Sequence, residues 1–255
     1  MKTYTLITGG SSGIGLELAK IATKEGRNVL LVARDKSALK QTALELSGSG
    51  VEVDYFAIDL SQIDSAAKVY EYCKKNQILV SELVNNAGFG DYGNFSDSKL
   101  QTQLSMIDLN IRSLTELTHL FLPAMIANNN AKILNLGSVA SFLPGPLMSV
   151  YFASKNYVLS FSRALSEELR GTGITVTCLC PGATSTGFGK AAHVSDTHST
   201  AHPKTTAQEV AVFGWYHMQN GTRVAIHGRG NRISIWLTKF VPRDTLARIV
   251  KKIQR

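Results

Sequence analysis

Disulfide frameworks, metal clusters and membrane spans leave no pattern in this sequence. Its three cysteines, Cys73, Cys178 and Cys180, form no CxxC pair and no metal-ligand spacing, which excludes a stapled secreted scaffold and a zinc ribbon. Cys178 and Cys180 stand two apart in an apolar run and would share one face of a strand as buried reduced thiols, which fits a reducing compartment. No apolar run approaches the ~18 residues of a membrane span. Residues 3–8 already pattern as a strand and leave no room for a signal or transit peptide, so a cytoplasmic location is expected. There are no internal repeats or low-complexity tracts. Charged residues make up 18% and hydrophobic ones 44% of the 255 residues, enough apolar material for a substantial core and too little charge for disorder.

Negative charge is scarce in one place. From Asn220 to the end there are nine basic residues and one acid, Asp244. That difference equals the whole net charge of +8, so the rest of the chain is neutral. Trp236 and Phe240 interleave with these cations, as in a basic amphipathic helix that lies on an acidic membrane surface or grips an acidic carrier. The other reading, and the expected one because Pro242 breaks the stretch, is a helix packed on the domain or on a second subunit with its basic face in water. No recognition motif accompanies the charge, so no nucleic-acid partner is expected.

What is present alternates strand and helix. Residues 3–8 run into Thr8-Gly9-Gly10-Ser11-Ser12-Gly13-Ile14-Gly15, and a helical pattern follows to Lys24. Glycines let the backbone approach a pyrophosphate, and the helix start offers free N–H groups and partial positive charge. The spacing is GxxxGxG, and such a turn also serves as plain punctuation. The strand at 28–33 ends in Ala33-Arg34-Asp35. An acid there would hold the ribose hydroxyls of NAD, whereas an arginine accommodates the 2′-phosphate of NADP. Arg34 therefore favours NADP, the alternative being a surface arginine paired with Asp35.

Strand 51–58 reaches Asp59-Leu60, where the carboxylate would meet an adenine amino group or cap the helix opened by Ser61 and Asp64. Strand 79–84 delivers Asn85-Asn86-Ala87-Gly88, small residues beside which a dinucleotide passes closely. One long helix is expected from Ser96 or Asp97, with Leu104, Ile107, Ile111, Leu114, Leu117 and Leu120 at helical spacing. Asn110 lies within that stripe as a structural hydrogen bonder or part of a polar relay, and Pro123 should kink or shorten the last turns.

Strand 131–136 ends in Gly137-Ser138, and Pro144-Gly145-Pro146 leads into a helix bearing Tyr151 and Lys155. Residues four apart share a helix face. An ammonium under a phenol lowers a pKa that is about 10 in free tyrosine, and a tuned phenol exchanges protons with an alcohol or ketone. Ser138 alone reads equally as a turn or N-cap serine. Strand 174–180 closes with Pro181-Gly182-Ala183-Thr184-Ser185-Thr186, and residues 187–206 lack periodicity, as in a mobile loop over a site. His193, His198 and His202 in that stretch have no carboxylate cluster beside them, so no metal is expected. Helix 207–219, strand 223–226 and the basic tail complete the chain. The alternation predicts one α/β domain, a Rossmann-like doubly wound parallel sheet of about seven strands with helices on both faces.

Four pieces now stand in fixed order: Thr8-Gly9-x-x-x-Gly13-x-Gly15, Asn85-Asn86-Ala87-Gly88, Ser138, and Tyr151-x-x-x-Lys155. Together they resemble the short-chain dehydrogenase/reductase family, to about Gly228, and the 13-residue interval from Ser138 to Tyr151 and the Pro181-Gly182 pair match as well. The resemblance implies that Tyr151 is the general acid in reduction, that Lys155 lowers its pKa and holds the nicotinamide ribose, and that Ser138 hydrogen-bonds the substrate carbonyl. Asn110 would anchor a water linking Lys155 to solvent. Gly9, Ser11, Ser12, Gly13, Ile14 and Gly15 would cradle the pyrophosphate, with Arg34 toward the 2′-phosphate. Asp59 and Leu60 would flank the adenine, and Asn86, Ala87 and Gly88 would support the adenosine side. Pro181, Gly182, Thr184 and Thr186 would border the nicotinamide, Thr186 on its carboxamide.

The implied activity is NADP(H)-dependent reduction of a ketone or aldehyde, or the reverse, with NAD(H) the less favoured cofactor. Phe142, Leu143, Leu147 and Met148 read as an apolar pocket wall, hence a hydrophobic carbonyl such as a 3-oxoacyl compound or steroid, or equally as packing residues. The alternative function is a non-catalytic NADP(H) sensor, which would have no need of the retained relay. The family's habit implies a homo-oligomer, and the tail loosely resembles those of membrane-associated steroid and 3-oxoacyl reductases.

Overall fold

Largely apolar segments build the central strands because both of their faces are covered, with a few buried polar residues such as Thr5, Glu82 and Thr177 among them. The structure, a computed structural model, describes residues 2–192 and 205–254. Its first half alternates β1 (Lys2–Thr8), α1 (Gly13–Lys24), β2 (Asn28–Ala33), α2 (Lys36–Leu46), β3 (Val53–Ala57), α3 (Ser65–Lys75) and β4 (Ile78–Asn85). Then come α4 (Leu100–Ile107), α5 (Leu114–Asn128), β5 (Ala131–Leu136), α6 (Ser149–Glu168) and β6 (Ile174–Cys180). The short elements β7 (Thr184–Ser185), α7 (Phe188–Ala191) and β8 (Thr205–Thr206) precede α8 (Ala207–Gln219), β9 (Val224–Ile226), α9 (Arg229–Leu237) and α10 (Arg243–Ile253).

Seven strands form one sheet in the order β3-β2-β1-β4-β5-β6-β9, paired in parallel throughout. Alternate side chains enter opposite cores, as the strand period of two requires. Leu30 and Val32 of β2 pack with α3 and α5 through Val69, Leu117 and Phe121. Val29 and Leu31 pack with α1, α2 and α8 through Leu18, Leu39 and Trp215. Helices thus cover both faces of a doubly wound sheet. Asp35 caps α2 by accepting from the N–H groups of Ser37 and Ala38 at 2.9 and 3.0 Å, and Thr206 and Glu209 close a capping box on α8.

The long helix expected from residue 96 is divided. A 3-10 turn at Phe95–Asp97 precedes α4, and a π segment, Asp108–Ser113, separates α4 from α5. One residue beyond the α-helical repeat is absorbed there, which the apolar spacing conceals. Pro123 does not end the helix, since α5 continues to Asn128 around it. Asp64 precedes α3 in the left-handed region (φ 63°) and makes no capping hydrogen bond with its side chain. The tail divides its apolar residues. Ile235, Leu246 and Val250 are buried, while Ile233, Trp236, Leu237 and Phe240 stay exposed. Among the described residues no helix is long and apolar enough to cross a membrane.

Candidate active site

Chain direction across the sheet reverses between the neighbours β1 and β4, and the crevice beyond their C-terminal ends is where such sheets receive ligands. The glycine turn leaves β1 here and Asn85-Asn86-Ala87-Gly88 leaves β4. Thr8 fastens the two: its hydroxyl accepts from the N–H groups of Asn86 and Ala87, both at 2.9 Å. The Asn86 side chain donates to the Thr8 and Gly9 carbonyls at 2.8 and 3.3 Å. A Cβ on Gly15 would stand 2.3 Å from the Gly9 carbonyl oxygen, so this glycine lets the turn fold on itself. Gly13 takes φ +54° and opens toward Thr186, whose methyl carbon is 3.4 Å from where a Cβ would be. Ser12 precedes α1 with no capping bond from its hydroxyl, so the first-turn N–H groups are left without a side-chain cap. An unblocked helix start under a Cβ-free turn fits a pyrophosphate.

On the β5 side of the crevice, α6 lifts Tyr151 and Lys155. Lys155 is buried and donates to the Leu136 carbonyl at 2.7 Å, and its Nζ lies 5.9 Å from the centre of the Tyr151 ring. Asn110, in the π segment, donates to the Phe89 carbonyl and the Ser154 hydroxyl, both at 3.0 Å, and accepts from the Phe89 N–H at 3.2 Å. Gly88 separates the relay groups: a Cβ there would be 2.9 Å from Asn110 Oδ1 and 3.4 Å from Lys155 Nζ. Ser138 accepts from the Ala140 N–H at 3.1 Å in a capping box with Ser141 and also hydrogen-bonds Tyr151.

Electrostatics correct one expectation. The Tyr151 phenol is not lowered but pushed up to about 12 by burial, against which the Ser138 hydrogen bond pulls down. Phe188 (5.3 Å between ring centres), Phe152 (6.0 Å) and Met148 crowd the ring. Lys155 is lowered to about 8, again by burial, with Cys178 and Cys180 acting the other way. Those two thiols are buried and free, 3.7 Å apart.

The turn residues Gly9 to Gly15, Asn86 to Gly88, Asn110, Ser138, Tyr151 and Lys155 thus surround one crevice. Pro181, Gly182, Thr184 and Thr186 border it from β6. The Pro181 carbonyl accepts from Val139 at 2.9 Å, which ties that loop to Ser138. Thr184 turns its hydroxyl back to the Gly182 carbonyl at 3.0 Å. Arg34 is exposed at the end of β2. Asp35 caps α2 rather than pairing with it, and Arg34 makes no ion pair among the described residues. Asp59 binds the N–H and hydroxyl of Ser61 at 3.0 and 2.8 Å instead of capping α3, and Leu60 is buried. Of the residues read as pocket wall or packing, Phe142 packs near Val158, Cys178 and Cys180, whereas Leu143 and Met148 join the Tyr151 cluster. Within residues 187–206, α7 and β8 are ordered elements, and His193, His198 and His202 lie outside the described residues.

Sequence reasoning missed Ser154 and Gly90, and it placed Thr8 in the glycine motif without its role of tying β1 to β4. A Cβ on Gly90 would stand 2.9 Å from Phe188 and 3.2 Å from Tyr151. The glycine beside Asn110's partner Phe89 was the available signal.

Fold and crevice together define a nucleotide-binding α/β protein of the doubly wound class. The short chain dehydrogenase profile matches residues 3–196. The chain belongs to the short-chain dehydrogenase/reductase family of oxidoreductases. It is 38% identical over 182 residues to an uncharacterised oxidoreductase, YvrD, of Bacillus subtilis, covering 71% of this chain and 68% of the relative. It is 33% identical over 176 residues to a very-long-chain 3-oxoacyl-CoA reductase of Laccaria bicolor, covering 68% of this chain and 52% of that protein. A short-chain dehydrogenase from Sphingobium yanoikuyae in complex with NADPH superposes with a TM-score of 0.83 at 30% identity, over 94% of each chain. A family member from Burkholderia phymatum in complex with NAD gives 0.83 at 25%, over 94% and 93%.

Proposed function

We propose that the protein is an NADP(H)-dependent reductase of an apolar ketone or aldehyde. The observation that carries this is the meeting of Ser138, Tyr151, Lys155 and Asn110 around one end of the crevice whose other end is the glycine turn. When bound, a reduced nicotinamide supplies the hydride that adds to the carbonyl carbon. The turn at Gly9 to Gly15, with Ser11, Ser12 and Ile14, holds the phosphates, and Lys155 and Thr186 hold the nicotinamide end. Asp59, Leu60 and residues 86–88 flank the adenosine. Arg34, exposed and without a carboxylate partner among the described residues, offers its guanidinium to a 2′-phosphate.

The Ser138 hydroxyl donates a hydrogen bond to the substrate carbonyl oxygen and orients it toward Tyr151. Burial pushes the Tyr151 phenol up, so it is protonated at neutral pH and can act as the acid when a carbonyl is reduced. As the proton leaves Tyr151 Oη for the developing alkoxide, the Lys155 ammonium stabilises the phenolate. Asn110 fixes the π segment and the strand-β4 loop around Lys155. Met148, Leu143, Phe152 and Phe188 supply an apolar wall, which suits a hydrophobic substrate such as a 3-oxoacyl compound or a steroid. The relative that acts on 3-oxoacyl-CoA supports the first of these.

The test follows loss of NADPH, and separately of NADH, across carbonyls from small diketones to 3-oxoacyl thioesters and steroids. Turnover with NADPH is expected, best on the apolar members. Faster turnover with NADH overturns the role of Arg34, and tight NADPH binding without any turnover would favour a sensor.

A further inference from the structure

We infer that the groove between the body and the C-terminal segment holds the phosphate-bearing carrier end of an acyl-thioester substrate. This rests on the reading of the site as a carbonyl reductase and names the form in which its substrate arrives. The groove encloses about 1000 Å³, at the large end of small-ligand sites. Five cations line it: Arg163 of α6, Arg229 and Arg232 of α9, Lys239, and Arg243 at the start of α10. No carboxylate lines it, and none of the five makes an ion pair among the described residues. Some cations elsewhere find partners, as Lys20 does with Glu17 and Arg223 with Glu167, and single cations such as Arg34 make no ion pair among the described residues; what sets these five apart is that they share one concavity. Like charges gathered without a counterion repel one another, and a bound polyanion removes that repulsion.

Apolar surface accompanies the charge. Trp236, 54% exposed, lines the groove and meets Phe240 edge-on at 4.9 Å. Such a ring offers a face to a nucleotide base or a pantetheine-like arm. Cations and rings converge in a concavity, which suits a single phosphorylated molecule better than a flat lipid surface.

The groove also adjoins the chemistry. Phe142 and Pro144, on its wall, belong to the segment joining Ser138 to Tyr151, and Asn156 pins that segment by donating to the Ala140 and Leu143 carbonyls, both at 3.1 Å. Asn231 of α9 closes on Gly182, where a Cβ would stand 2.5 Å from its Nδ2. Arg163 and Lys155 share α6, about 12 Å apart along its axis at ~1.5 Å per residue. On the other side of the tail, Val250 packs into the cluster that holds Tyr151, and Tyr92 donates to the Gln254 carbonyl. The tail therefore walls the substrate side while presenting its cations to what lies outside.

Two tryptophans make the test direct, because Trp215 is 3% exposed and Trp236 reports on the groove. With the full chain and NADPH, coenzyme A should quench Trp236 fluorescence, and Trp236→Phe should abolish the change. KM for a 3-oxoacyl-CoA should be at least tenfold below that for the same acyl group on N-acetylcysteamine. The double variant Arg229→Glu, Lys239→Glu should raise the first KM to the second. Arg232→Gln gives a milder version if thermal melting shows the double variant misfolded. Equal KM values in the wild type, or a gap that survives the variants, would overturn the inference. So would quenching by phosphatidylglycerol vesicles with none by coenzyme A, which would make the tail a membrane-docking surface. Reduction of free ketones with neither thioester accepted rejects the groove's role but leaves the reductase. Variant-sensitive quenching with no carbonyl reduced supports the groove and rejects the reductase.

Discussion

Replacing Lys155 with methionine isolates the cost of keeping an ammonium inside the fold. Lys155 is 4% exposed, and burial lowers its pKa from 10.5 to about 8. At pH 7 the side chain is charged in both folded and unfolded chains, and the folded state bears the full desolvation cost. Between about 8 and 10.5 the folded protein releases a proton that the unfolded chain retains. The unfolded chain then binds more protons, so this residue's contribution to stability rises with pH through that window. At about 1.4 kcal/mol per pKa unit the whole cost is on the order of 3 kcal/mol, of which roughly 1 kcal/mol is relieved by pH 9. Methionine keeps the apolar stem and leaves the Leu136 carbonyl without this donor, a loss of ~1–3 kcal/mol that does not vary with pH. Urea unfolding of the cofactor-free protein at pH 7 and pH 9 removes that constant. The stability difference should move by about 1 kcal/mol in favour of the wild type, roughly 2–4 °C in melting temperature. A difference that stays flat between the two pH values would refute the claim that burial holds Lys155 low.

Gly88→Ala places a methyl group 2.9 Å from Asn110 Oδ1 and 3.4 Å from Lys155 Nζ. Turnover should fall on the order of 10²-fold while cooperative unfolding persists, and full activity would show that the spacing of the two groups does not matter. Arg34→Ala should raise KM for NADPH about 10–100-fold and leave NADH unaffected; initial rates with each cofactor decide it, and equal effects would return Arg34 to the surface. Gly145→Ala puts a Cβ 2.0 Å from the Phe152 ring. The ring must move, so a loss of about 1–3 kcal/mol in denaturant unfolding is expected, together with lower turnover because Phe152 abuts Tyr151.

Most of the fold could be read before the structure because buried parallel strands announce themselves as apolar runs, and β2 and β6 begin and end where those runs do. The crevice was legible for a related reason, since glycines and small residues follow β1 and β4 where a backbone must approach closely. The π segment was hidden because Leu104, Ile107, Ile111 and Leu114 keep a plausible helical spacing across the extra residue. The direction of the Tyr151 shift was equally hidden. It depends on Phe188 and Met148, which only the fold brings to the ring, whereas the sequence showed Lys155 alone. For Phe142 the two readings, pocket wall and packing, could not be separated without a register: in a 3-10 turn its side chain packs toward β6 and α6 rather than toward Met148. The tail showed its charge openly, yet that Arg229, Arg232, Lys239 and Arg243 gather with Arg163 in one groove, without an ion pair among the described residues, is a property of α6, α9 and α10 together.

The central claim is that Tyr151 gives the proton to the carbonyl oxygen. Its most direct test compares Tyr151→Phe with the wild type on the best carbonyl found, with NADPH affinity measured separately by titration. The account predicts a kcat/KM lower by about 10²-fold or more with NADPH affinity within a few-fold of the wild type. A variant that binds NADPH normally and still reduces the carbonyl at near wild-type rate would contradict it.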